Sequence, residues 1–189
     1  MIRIAMLAAV LWWVSGCSGT SVKSEWMNPG YRGHGVRSVV VLCLPVDSKE
    51  KECEDEFVRQ LARADVSAIP GYSTSTASTS KESVMRKAKD KGISRVLVSR
   101  FMKTKEKWEP VWPESTNIQG VPDYGTYYDY HLEKSDYLVF SSVLYDVANG
   151  KAIWAAQSDT FVGSSQKKSL KSYVKAVIKK MEHQGLLAR

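Results

Sequence analysis

The side chains of this chain best equipped for chemistry are three cysteines, Cys17, Cys43 and Cys53, and three histidines, His34, His131 and His183. A thiol can be acylated or oxidised to a disulfide, and when ionised beside a base it can act as a nucleophile or metal ligand. The last two roles need partners at defined spacing. The histidines are scattered, no Cys-x-x-Cys occurs, and no Gly-x-Ser-x-Gly elbow marks a serine nucleophile. Asp123 and Asp129 lie near His131 in a stretch whose composition suits a polar loop. Gly30, Gly33 and Gly35 come before a strand rather than between strand and helix, so they make no phosphate cradle. The chain is therefore expected to be non-catalytic, with no metal and no cofactor, and its thiols are left with acylation and disulfide chemistry.

Cys17 is placed for acylation. Met1-Ile2-Arg3 is followed by an unbroken apolar run from Ile4 to Val14 and then by Ser15-Gly16-Cys17. A basic start, a short apolar run and a small-residue cleavage site make a secretory signal over residues 1–16. The run is too short for a bilayer, which needs about 20 apolar residues. Val14-Ser15-Gly16-Cys17 resembles the bacterial lipobox, with Val14 where Leu is commonest. The resemblance implies that Cys17 is acylated through its sulfur and becomes the new N-terminus. It also implies that Ser18, in place of an aspartate, favours the outer membrane, with the domain facing the periplasm. The expected membrane contact is thus the lipid on Cys17. Each buried methylene contributes about 0.8 kcal/mol, whereas a basic residue near an anionic surface adds about 1 kcal/mol in all.

Removal of residues 1–16 takes away Arg3 and leaves 26 Lys and Arg against 20 Asp and Glu. An exported basic domain excludes nucleic acid as a sensible partner and favours an anionic lipid, glycan or protein surface. In an oxidising compartment Cys43 and Cys53 can pair, a bridge worth roughly 2.5–3 kcal/mol through loop closure. Two separate thiols, with Cys43 simply core, is the other reading.

The elements that would position these groups read as α/β. Residues 17–37 look like an acylated N-terminus and tether. A domain over 38–189 opens on Ser38–Leu44, an apolar and β-branched run suited to a strand buried on both faces. Helix 50–64, strand 66–69, a helix closed by Gly92 and strand 93–102 follow, giving β-α-β-α-β with a mixed sheet. Two further strands, 137–147 and 151–162, flank Asn149-Gly150 as an antiparallel hairpin. A C-terminal helix over 166–183 carries Leu170, Val174, Val177, Ile178 and Met181 on one face and its lysines mostly off it.

Between the third strand and the hairpin lies an insertion, 103–134, without clear periodicity. It concentrates Trp108, Trp112, Tyr124, Tyr127, Tyr128 and Tyr130 among prolines and glycines. Long loops in small domains are usually functional or disordered, and Tyr and Trp give large contact area with few torsions to freeze. The insertion is either a partner surface or a cover for an open sheet edge.

Several stretches together resemble small bacterial lipoproteins of unassigned function. They include Ser24-Glu25-Trp26-Met27-Asn28-Pro29-Gly30-Tyr31, Val96-Leu97-Val98-Ser99-Arg100, and Leu144-Tyr145-Asp146-Val147 running through Ile153-Trp154. More distantly the layout is similar to the N-terminal domain of TolB, the curli secretion lipoprotein and the lipoprotein activators of penicillin-binding proteins. The resemblance implies an α/β domain that binds other envelope components, as an accessory module or as an oligomerising assembly or secretion component. It carries over no catalytic residue.

Overall fold

The computed structural model describes residues 19–32, 35–44, 50–74, 81–111, 131–163 and 165–187. The strands are β1 (Thr20–Met27), β2 (Ser38–Leu44), β3 (Ser67–Pro70), β4 (Arg95–Val111), β5 (His131–Asp146) and β6 (Ala152–Phe161). The helices are α1 (Glu50–Ala62), α2 (Lys81–Asp90) and α3 (Gln166–His183). The strands form one mixed sheet in the order β1-β6-β5-β4-β2-β3. β2 runs parallel to both β3 and β4, and the remaining pairs are antiparallel.

The continuous apolar run of β2 has the physical reason the sequence implied. Val39, Val41 and Cys43 face a core shared with α1 and α3, while Val40 and Leu42 face Val84 and Ala88 of α2. Helices thus cover both faces around β2 and β4, giving three layers there. Toward β5, β6 and β1 the described helices supply only α3, so the sheet becomes two-layered. In α3, Val174, Val177, Ile178 and Met181 are buried, and Lys167, Lys168, Lys171, Lys175 and Lys179 are exposed.

Three expectations change. The tether over 17–37 is, from Thr20 to Met27, an edge strand paired with β6. Its hydrophobic alternation is hidden by polar residues and by a bulge between Val22 and Ser24. The third strand runs nine residues past Met102, and β5 starts six residues before Tyr137, so the flanks of the 103–134 insertion pair with each other. Pro110 is tolerated because β4 has left β2 by then and pairs on one side alone, with Leu132 opposite. The β5–β6 connection is a hairpin, but Gly150 alone takes positive φ (+70°), not both Asn149 and Gly150. The Asp146 N–H donates to the Lys151 carbonyl at 2.9 Å, and Asn149 Oδ1 accepts from the Lys151 N–H at 2.8 Å. That Asp146–Lys151 bond encloses four residues, so the two-residue turn geometry is not required.

Cys43, near the end of β2, and Cys53, in the first turn of α1, are joined sulfur to sulfur, with their Cα atoms 6.1 Å apart. Beside them the buried Glu54 carboxylate accepts from the Cys43 N–H (3.0 Å) and the Tyr72 N–H (2.9 Å). One acidic side chain thereby clamps α1 to β2 and to the turn after β3. Gly71 permits it: a Cβ there would lie 2.9 Å from the Val41 carbonyl and 3.1 Å from Glu54 Oε1. Reduction of the oxidised domain is expected to lower its unfolding free energy by roughly 2.5–3 kcal/mol, the loop-closure value for a separation of this size. Urea unfolding with and without dithiothreitol measures this. Two alkylatable thiols in the non-reduced protein would show that no bridge forms in the compartment.

Candidate interaction surface

Beyond Arg100 β4 has no partner in β2, and before Tyr137 β5 has none in β6. Glu106–Val111 and His131–Asp136 therefore leave the sheet as a two-stranded ribbon. Its side chains are mostly exposed, Trp108 at 58% and Leu132 at 56%. Lys134 bonds Glu106 across the ribbon (2.6 Å), which raises the Lys134 pKa, and Lys107 bonds Glu109 along β4, which raises that of Lys107. Both pairs are solvent-exposed, so each adds little stability. An isolated two-stranded ribbon is marginal in water, and its unpaired edges are templates for another chain.

At the root of the ribbon is a cleft of about 260 Å³ on the sheet face opposite α3. Gly19, Ser21 and Lys23 border it from β1 and the residue before it, Lys105 and Lys107 from β4. Tyr137 and Phe161 form an edge-to-face pair at 5.7 Å along another side. The acid of the cleft, Asp159, is paired with Lys105 at 3.3 Å. Lys23 follows Val22 at the β1 bulge and makes no ion pair with any described residue. Bulges commonly re-aim a side chain next to a site.

The buried polar centre has a different character. The Tyr173 hydroxyl lies 2.6 Å from Ser99 Oγ and 2.5 Å from Ser142 Oγ, beneath α3. Its ring stacks on Phe140 (centroids 4.1 Å) and meets Phe57 edge-on (5.8 Å). Burial pushes its pKa up to about 12, opposed by the two serine bonds. A phenol so enclosed stays protonated and has no route to a substrate, so this group is structural.

Of the residues singled out by sequence, Trp108 stands exposed on the ribbon. Trp112, Tyr124, Tyr127, Tyr128 and Tyr130 lie outside the described residues, as do Cys17 and His34. His131 ends the ribbon and His183 ends α3, in separate elements. No three His, Cys, Asp or Glu side chains gather as a metal site among the described residues. The cleft was missed because its walls come from four segments between residues 19 and 161. Tyr173 sits on the same stripe as Leu170 and Val177, and that spacing could have found it.

No known protein-family model matches this chain, and no curated protein matches it in sequence. Its fold is similar to that of PelC from Paraburkholderia phytofirmans, solved as a dodecamer: TM-score 0.52 and 15% identity over 90% of this chain and 99% of that one. It is also similar to lipoprotein GNA1162 from Neisseria meningitidis, at TM-score 0.45 and 14% identity over 77% and 98% of the two chains. A minor lipoprotein from Acinetobacter baumannii aligns at TM-score 0.32 and 8% identity over 80% and 96%.

Proposed function

We propose that this chain is a lipid-anchored, non-catalytic interaction module of the bacterial envelope. It is held through Cys17 in the outer membrane, faces the periplasm, and presents the β4–β5 ribbon and the aromatic residues beyond it to an envelope protein or glycan. The observation that carries this is the ribbon itself. A 189-residue chain that carries two strands out of its sheet, with Trp108 and Leu132 exposed, gains little stability from them. Such a projection is explained by what it meets.

The test shortens residues 108–131 to a few Gly and Ser residues in the acylated protein. Loop closure depends weakly on length, about 0.6 kcal/mol per doubling, so melting should change by only a few degrees while capture of envelope partners is lost. Unchanged capture with melting lowered by ~10 °C, several times the shift expected of a small perturbation, would make the segment structural cover and sink the reading.

A second reading has its own support. Unpaired strand edges suit a further copy of the same chain, and the PelC fold is found in a dodecamer. The resemblance to curli secretion lipoproteins supports the same assembly role. Light scattering on the acylated protein in detergent separates the two: a monomer argues against self-assembly, and a ring-sized mass argues for it.

A further inference from the structure

We propose that the cleft bordered by Lys23, Lys105 and Lys107 binds the phosphate of a lipid headgroup in the leaflet that holds the acyl chains. This rests on the anchored reading above and gives the domain a second, specific contact with its membrane. Position is the first argument. Gly19 borders the cleft and stands two residues after Cys17, a span of about 7 Å at most in extended chain. Lipid on Cys17 therefore brings the cleft to headgroup depth.

Charge is the second argument. Three ammonium groups line the cleft against the single carboxylate of Asp159, and Lys105 occupies that carboxylate. Lys107 is tied to Glu109 by an exposed pair, which a phosphate can displace at little cost. Lys23 has no ion pair among the described residues and offers its full charge.

Shape is the third. The volume, about 260 Å³, lies below the ~300–1,000 Å³ usual for drug-sized ligands and suits one small charged headgroup. Phe161, 41% exposed, and Tyr137 supply the amphipathic aromatic rim favoured at membrane interfaces. The ligand chemistry is a phosphate ester, from a membrane lipid rather than from solution.

The acylated protein is placed in phosphatidylcholine vesicles with or without phosphatidylglycerol, and its lysines are labelled with an amine-reactive reagent read by mass spectrometry. Lys23 and Lys107 should be protected by phosphatidylglycerol, while Lys167 and Lys168 on α3 should label equally in both vesicles. Removing one cleft charge, as Lys23→Gln, should weaken retention of phosphatidylglycerol about fivefold, the factor for one lysine at an anionic surface. The charge-matched Lys167→Gln should leave it unchanged. A detergent arm with inorganic phosphate alone identifies the source. Protection there but not by phosphatidylglycerol overturns a lipid ligand. Equal labelling in the two vesicles, or an equal effect of Lys167→Gln, overturns the cleft. The mass of the N-terminal peptide reports acylation separately: a lipid-free Cys17 removes the anchored reading, and the phosphate arm still decides whether the cleft binds phosphate.

Discussion

Replacing Cys17 by alanine is expected to abolish fatty-acid labelling of the chain and to leave an uncleaved or mislocalised precursor. The effect is large because of the energies involved. A single fourteen-carbon chain gives an association of about 10⁴ M⁻¹, and a second makes anchoring stable, at about 0.8 kcal/mol per buried methylene. Nothing among the described residues approaches this. No described helix is long and apolar enough to cross a membrane, and a cleft lysine contributes about 1 kcal/mol at an anionic surface. The Lys23→Gln protein should therefore remain membrane-bound where Cys17→Ala is lost from its site. Labelled palmitate and gel mobility of the two variants are the readouts. Palmitate still incorporated into Cys17→Ala would place the lipid elsewhere.

Truncating Tyr173 should be among the most damaging changes within the domain. Its ring is fully buried between Phe57 and Phe140, so Tyr173→Ala is expected to cost about 3–5 kcal/mol, as for other large aromatics. Tyr173→Phe keeps the ring and removes only the hydroxyl shared with Ser99 and Ser142. It should cost about 1–3 kcal/mol, the penalty for stranded buried polar groups. The phenol also has a pH signature. Its folded pKa is raised from the ordinary phenol value of 10.0 to about 12, so the unfolded chain gives up the proton first. The stability tied to the neutral phenol is complete below pH 10 and is lost as pH rises through the folded pKa. At about 1.36 kcal/mol per unit the loss reaches roughly 2–3 kcal/mol. Wild type should thus lose this much more stability than Tyr173→Phe between pH 9 and 12 in urea unfolding. Parallel curves would mean the hydroxyl is not enclosed as described.

The legible parts of the fold are those where burial imposes a period. β2 has the bounds read from its apolar run, and α3 those read from its stripe. β1 escaped because an edge strand needs one apolar face at most, and its bulge breaks the alternation. The ribbon escaped for a related reason. Lys103 to Pro110 are exposed on nearly every side, so no core selects alternate residues, and the sequence reads as charged loop. Glu54 stands in Glu-Lys-Glu-Cys-Glu-Asp-Glu, where nothing local marks which acid is buried. Its burial comes from the N–H groups of Cys43 and Tyr72, brought by other elements. Likewise Ser99 and Ser142 lie 74 and 31 residues from Tyr173, and such a contact leaves no spacing to find.

β1 also sets an order of assembly. Its ladder partner is β6, and the hydroxyls of Thr20 and Thr160 meet across 140 residues of chain. A contact of such high order is slow to form, because the loop must close before the contact rewards it. Every other ladder between named strands joins segments much nearer in sequence, and only the single bridge Val36–Leu187 among the described pairings spans as much chain. In a chain delivered N-terminus first, the stretch beside Cys17 therefore has no strand to pair with until residue 160 has arrived. During that interval it is an open segment, and on the anchored reading proposed above the domain would be drawn up to the bilayer only when β1 closes the sheet.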